Sequence, residues 1–368
     1  MDPVEQYIER KLQERIAAGN LRKLKTERAA VDFFSNDYLG IATNNILQVG
    51  NKTTGSTGSR LLSGNAKETE ELERIIAKHH GVEAALLFNS GYDANTGLLS
   101  SIADRHTTIL YDELCHASII DGIKLSLAPR QYKFAHNDVG ELEKKLDQHK
   151  DTATIVVVES VYSMDGDTAP LNEIVSLTQK YGASMVVDEA HATGIFGKRG
   201  SGMVSKLGLE DKVFARMHTF GKALGCHGAV VAGSEKLKQF LVNFARPFIY
   251  TTALPPQNIS AVREAYEYLS SKDFSNEDLH NLIRYFREKT KDSRAAWKDS
   301  SSPIQVLILG SNEKARMAAE LLQSKGLQVN AILSPTVPKG SERLRVCLHA
   351  FNTKEQIDLL FQTLNGVV

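Results

Sequence analysis

Cysteine is scarce. Three residues in 368, Cys115, Cys226 and Cys347, are few and odd in number, which argues against a disulfide framework and fits a reducing cytosol. Excess charge is also lacking. Lys+Arg and Asp+Glu both number 44, so nothing favours nucleic acid or a charged membrane surface as a partner. No apolar run approaches the roughly 20 residues that span a bilayer. The opening "MDPVEQYIERKLQER" lacks the apolar core of a signal peptide, and no internal repeat stands out. These absences lead to the expectation of a soluble, cytoplasmic protein without nucleic-acid or membrane partners. What is present is ordinary globular material: 42% hydrophobic and 24% charged residues, with length for about two domains.

Residues 2–18 read as an amphipathic charged helix, and "GSTGSRLLSGNA" (55–66) as a loop. Apolar runs then alternate with helical patterns. "EAALLF" (83–88), "TTILY" (107–111), "TIVVVES" (154–160), "SMVVDE" (184–189), "VFARM" (213–217) and "AVVAG" (229–233) are strand candidates. Stretches 139–149 and 171–181 are helix candidates. Continuous apolar strands between helices predict a mainly parallel sheet covered on both faces. After "FIYTTALPPQ" (248–257) the pattern changes to long helices and three further strand candidates, 303–309, 327–333 and 343–349. The expected organisation is an N-terminal helix and linker (1–35), a large α/β domain (36–255) and a smaller α+β domain (256–368) packed with the N-terminal helix.

In an open α/β sheet, ligands sit beyond the carboxyl ends of the strands. After "EAALLF" comes "NSGYDANTGLL", where Gly91 permits a tight turn into a helix and so an anion site, although in isolation an ordinary βα loop is the commoner explanation. His116 follows "TTILY" and is placed to stack on a flat aromatic ligand. Ser163 follows "TIVVVES" and can donate a hydrogen bond into the cleft. Asp188 ends the buried run "SMVVD", so its charge needs a partner, and His191 lies three residues on. Asp188, Glu189 and His191 lack the spacing of a dedicated metal site, and no metal is expected. In "HTFGKALGCHG" (218–228), Lys222 stands among small and apolar residues. Such surroundings lower an amine's pKa and free it to form a Schiff base with a carbonyl cofactor. Pyridoxal phosphate (PLP) wants a lysine, an acid for its pyridine nitrogen, a flat neighbour and an anion pocket. Lys222, Asp188, His116 and the Gly91 loop supply these four. A nucleotide-binding protein without covalent chemistry is the rival from another class; no G-x-G-x-x-G or P-loop pattern supports it.

"SNDYLG", "SRLLSG", "HAS", "SMDGDTAPL", "VDEAHATG", "TFGKALG" and "IYTTALPP" occur in the order found in the α-oxoamine synthases. The chain resembles that branch of the fold-type-I PLP-dependent transferases from residue 33 to its end. The resemblance implies a homodimer with its active site at the subunit interface. It implies that Lys222 carries PLP, Asp188 pairs with its ring nitrogen, His116 stacks on the ring, and His191 and Ser163 bond its phenolic oxygen or nearby groups. Gly91, Tyr92 and Thr219 would line the phosphate and ring pocket, with Thr251 and Thr252 reaching the neighbouring subunit's phosphate. Asn36 and Arg345 would grip an amino-acid carboxylate. "FAHNDV" (134–139) and "SPTVPKGSERLRV" (334–346) point to the members that condense L-alanine with a pimeloyl thioester of CoA or a carrier protein. Members using glycine or serine share the cofactor residues. Two positions depart from the pattern. Thr69 stands where relatives often have histidine, and Leu333 where some have an arginine for the distal carboxylate of the acyl chain. Arg22 is the candidate replacement for that arginine.

Overall fold

The run "TIVVVE" is β-branched almost throughout, a composition that suits a pleated, buried surface better than a helix. In the computed structural model it is an interior strand of a seven-stranded sheet, buried along its whole length. The structure describes residues 2–22, 24, 26, 30–50, 53–291, 293 and 295–365. The strands are β1 (Ala84–Phe88), β2 (Thr108–Asp112), β3 (Arg130–Phe134), β4 (Thr154–Glu159), β5 (Ser184–Asp188), β6 (Ala215–Thr219) and β7 (Ala229–Gly233). Their spatial order is β1-β7-β6-β5-β4-β2-β3. Only β7 runs antiparallel to its neighbours. Glu159 therefore lies in register with Asp188, and Asp188 with Met217.

Helices cover both faces, and their ends follow local chemistry. Lys67–His80 and Leu171–Tyr181 stop at Gly81 and Gly182, both with positive φ. Gly91–Ile102 starts at Ser90, whose hydroxyl accepts the Asp93 N–H. A second sheet has three antiparallel strands, β8 (Ile304–Ile308), β9 (Asn330–Ile332) and β10 (Arg343–Cys347), in the order β9-β10-β8. One apolar core runs from beneath the main sheet into this second layer, joining Val158 and Val187 to Val306 and Val346.

Four local differences from the sequence reading have physical reasons. The strand expected at 213–217 lies at 215–219, because Phe214 is exposed and pairing continues to Thr219. Segment 327–333 divides: Leu327–Gln328 pairs with Val31–Asp32, and Asn330–Ile332 pairs with β10. Strand β3, "RQYKF", escapes sequence reading because it is a polar edge strand with only Phe134 buried. The N-terminal helix, Pro3–Ala17, forms as expected but buries none of its residues. Just beyond its end, Asn20 donates to the Ser334 carbonyl at 3.4 Å.

Candidate active site

Lys222 sits in the tight connection between β6 and β7. Phe220 N–H donates to the Gly228 carbonyl, Cys226 N–H to the Phe220 carbonyl, and Gly225 N–H to the Lys222 carbonyl. Gly225 has φ +62°, and a Cβ there would lie 2.6 Å from the Ala42 nitrogen. Only glycine lets this loop press so closely on the "SNDYLGIA" segment. The lysine amine is thereby held over the sheet end, 2.7 Å from His191 Nε2. Burial pushes its pKa down to about 8, against the opposing pull of Asp188 and Glu159.

A line of hydrogen bonds runs on from that amine. His191 Nδ1 is 2.8 Å from the Tyr38 hydroxyl, which donates to Asn36 Oδ1 at 3.0 Å. With the Tyr38 proton so committed, its oxygen accepts from His191 Nδ1–H, and the bare Nε2 accepts from Lys222. The neutral ring this requires agrees with a His191 pKa held well below the ordinary value, chiefly by burial and then by Lys222 and Arg345. Arg345 closes the line, with Nη2 3.1 Å from Asn36 Oδ1. Its Nε donates to the Ser163 carbonyl at 2.7 Å and its Nη1 contacts Cys347 Sγ at 2.9 Å. The Nε side of the guanidinium is closed, so a carboxylate has to be received at the terminal nitrogens.

Asp188, the last residue of β5, is 5% exposed and fully supported. Oδ1 accepts the Ala190 N–H at 2.8 Å and Oδ2 accepts Asn95 Nδ2 at 2.8 Å. Asn95 also donates to Ser118 Oγ at 3.0 Å, and Ser118 lies 2.8 Å from His116 Nδ1. His116 caps its helix by accepting the Ser118 N–H, and its own N–H donates to Glu159 Oε1 at 2.5 Å. Burial, then the Asp188 charge, pushes Glu159 up to about 8.

The phosphate end is built by the start of helix Gly91–Ile102. Asp93 N–H goes to Ser90 Oγ and Ala94 N–H to the Ser90 carbonyl, so the helix itself uses neither the Gly91 nor the Tyr92 N–H. A Cβ at Gly91 would sit 3.5 Å from Thr219 Cβ and Oγ1 and would fill the gap between helix start and strand end. Tyr92 is about half exposed and its hydroxyl bonds Asp121. Thr251 and Thr252 lie against Asn89 of their own chain: Asn89 Nδ2 donates to Thr251 Oγ1 and to the Thr252 carbonyl, both at 2.9 Å. Arg22 is exposed and 3.4 Å from Thr336 Oγ1, three residues after Leu333.

Sequence reading missed Asn95, Ser118, Tyr38 and Glu159. Glu159 carried a usable signal, since it ends a buried apolar run as Asp188 does. Asn95 carried none, because an asparagine inside a helix pattern does not announce which strand end it will face.

The family model for class I and II aminotransferases matches residues 28–364. An 8-amino-7-oxononanoate synthase of Emericella nidulans is 43% identical, over 91% of this chain and 89% of its own. Another from Lysinibacillus sphaericus is 38% identical over 99% and 95%. Among solved structures, Sphingomonas wittichii serine palmitoyltransferase superposes with a TM-score of 0.88 at 27% identity, covering 100% of this chain and 98% of that one. The 8-amino-7-oxononanoate synthase of Francisella tularensis gives 0.78 at 29%, covering 91% and 97%. A serine palmitoyltransferase from S. paucimobilis, at 0.87 and 28% over 100% and 98%, was solved with a PLP–myriocin aldimine.

The chain belongs to the class I and II aminotransferases, PLP-dependent enzymes of fold type I. Within that family it belongs with the 8-amino-7-oxononanoate synthases, the acyltransferases of biotin biosynthesis. The residues present fit PLP: a lysine with a lowered pKa, a buried carboxylate with both oxygens oriented, and a glycine cradle at a helix start. Among the described residues, no helix is long and apolar enough to cross a membrane.

Proposed function

We propose that the protein condenses L-alanine with a pimeloyl thioester, releasing 8-amino-7-oxononanoate, carbon dioxide and the free thiol of CoA or a carrier protein. The carrying observation is the unbroken hydrogen-bond line from Lys222 through His191, Tyr38 and Asn36 to Arg345. It joins a nucleophilic amine to a cation able to receive a carboxylate, which is what an α-amino-acid substrate needs.

Bound PLP supplies an aldehyde carbon and an electron-withdrawing ring. Lys222 Nζ would anchor it and would serve as the base for the alanine α-proton. The lowered pKa keeps a useful fraction of that amine unprotonated near neutral pH. Asp188 holds the proton on the ring nitrogen, and Asn95 holds Asp188. His116 covers the ring face. His191 and Ser163 address the phenolic oxygen. Gly91, Tyr92 and Thr219 receive the phosphate, and Thr251 and Thr252 do so for the neighbouring copy in a cytoplasmic homodimer. Arg345 and Asn36 orient the alanine carboxylate, which is later lost as carbon dioxide. Arg22, beside Thr336, meets the distal carboxylate of the acyl chain.

The serine palmitoyltransferase superpositions support a second reading, in which serine and a longer acyl thioester are used. Both are tested by incubating the holoenzyme with alanine, glycine or serine and pimeloyl or palmitoyl thioesters while following thiol release. Fastest release with alanine and the pimeloyl donor is expected. Preference for serine and palmitoyl thioester overturns the assignment.

A further inference from the structure

Between β4 and the next helix, residues 162–168 form a turn that reaches from the main sheet to the smaller one. Tyr162 N–H donates to the Asp167 carbonyl and Gly166 N–H to the Tyr162 carbonyl. The smaller layer grips this turn at several points. Arg343 Nη1 donates to Asp165 Oδ1 at 2.7 Å and to the Met164 carbonyl at 3.1 Å. Lys298 also pairs with Asp165. Ser300 Oγ donates to the Gly166 carbonyl at 2.7 Å, and a Cβ at Gly166 would lie 2.2 Å from the Ile304 carbonyl oxygen. The main sheet holds the other edge of the turn, with His136 Nε2 2.7 Å from Asp167 Oδ2 and Nδ1 3.0 Å from Asp112 Oδ1.

Arg343 and Arg345 alternate on β10, so they reach the same turn side by side. Arg343 takes the Asp165 carboxylate, while Arg345 takes the Ser163 carbonyl. Asp165 is 4% exposed, so its charge is satisfied almost wholly by Arg343 and Lys298. A buried carboxylate with two cations on it fixes the turn more firmly than the neutral bonds alone. Whatever shifts the turn shifts the Ser163 carbonyl, and with it the Nε end of Arg345.

We propose that Asp165 is a positioning residue of the amino-acid site: paired with Arg343 and Lys298, it locks the 162–168 turn so that the Ser163 carbonyl aims Arg345 at the substrate carboxylate. The inference rests on the reading of Arg345 as the carboxylate receptor. Asp165 touches neither cofactor nor substrate, so its loss weakens amino-acid binding and spares cofactor attachment. Small displacements of an orienting group have large effects, and a shift near 1 Å can cost about 10²-fold.

The test uses the holoenzyme and Asp165→Asn, which keeps the shape and one acceptor but removes the charge. Three quantities are measured: PLP attached at Lys222 after borohydride reduction, KM for L-alanine, and KM for the pimeloyl thioester. KM for alanine is expected to rise roughly 10-fold or more, with attachment and thioester KM within about twofold of wild type, and Asp165→Glu recovering part of the loss. If alanine KM stays within about twofold while thermal stability falls, Asp165 is a structural residue only and the proposal is overturned. Should Asp165→Asn fail to fold, Lys298→Gln, which removes one of the two cations on Asp165, is measured with the same expectation. If Arg345→Lys leaves alanine KM unchanged, the reading of the amino-acid site fails first, and that result is distinct from failure at Asp165.

Discussion

Lys222 is a group the fold holds at a cost, and that cost can be measured. In the unfolded chain a lysine stays protonated to about pH 10.4. In the folded apoenzyme burial lowers its pKa to about 8. A base with a depressed folded pKa binds fewer protons folded than unfolded, so it destabilises the fold below pH 8 and does so less as pH rises. The relief is complete once pH exceeds the unfolded value. Two and a half pH units at about 1.4 kcal/mol each give a penalty of about 3 kcal/mol at pH 7. Lys222→Met, similar in length and uncharged, removes that penalty. It also removes the bond to His191 and the cation facing Asp188 and Glu159, which trims the gain. The apoenzyme of Lys222→Met is expected to be more stable than wild type by about 1–3 kcal/mol at pH 7. The gap should close as pH rises from 8 toward 10.5. Urea unfolding of both apoproteins at pH 7, 8.5 and 10 reads this directly. A variant equal to or less stable than wild type at pH 7, or a gap that widens with pH, refutes the reasoning.

Removing the donor to a buried carboxylate costs about 1.5–3 kcal/mol when the acceptor is charged. Asn95→Leu should therefore weaken PLP binding roughly 10-fold or more, read by absorbance titration; unchanged affinity would mean Asp188 does not depend on Asn95. Arg22→Ala should raise KM for the pimeloyl thioester several-fold, about what one exposed charge contact supplies, and leave KM for alanine alone. The reverse pattern would remove Arg22 from the acyl site. His136 bridges Asp112 and Asp167, and those bonds, overcoming its partial burial, lift its pKa to about 9. A raised folded pKa stabilises fully below about pH 6.5 and the benefit is lost as pH climbs through 9. The stability difference between wild type and His136→Gln should thus be about 1–3 kcal/mol at pH 6 and shrink by pH 9.5. A difference that does not vary with pH would contradict the charged bridge.

The sequence made the strand ends legible because buried parallel strands are unbroken apolar runs, so Asp188, His116 and Lys222 stood out where such runs stop. Lys222 itself was marked by small neighbours, and the structure gives the reason at Gly225, where the backbone meets Ala42. Strand β3 was hidden because an edge strand with one buried residue has no apolar run to detect. The partners that orient the site were hidden for another reason. Tyr38 lies 153 positions from His191 and Asn95 lies 93 from Asp188. No local periodicity encodes contacts of that span; they arise only when sheet order brings the segments together. The N-terminal helix shows the opposite limit. Its pattern predicted a helix correctly, yet amphipathicity says that a face wants cover and not where the cover lies, and within this chain the helix buries nothing.

The central claim is that Lys222 is the residue that carries the cofactor. Borohydride reduction of the holoenzyme, followed by proteolysis and mass spectrometry, tests it most directly. The account predicts one phosphopyridoxyl-bearing peptide, the one containing Lys222, with the label absent from Lys222→Ala. A label on a different lysine, or retention of the label in that variant, would contradict it.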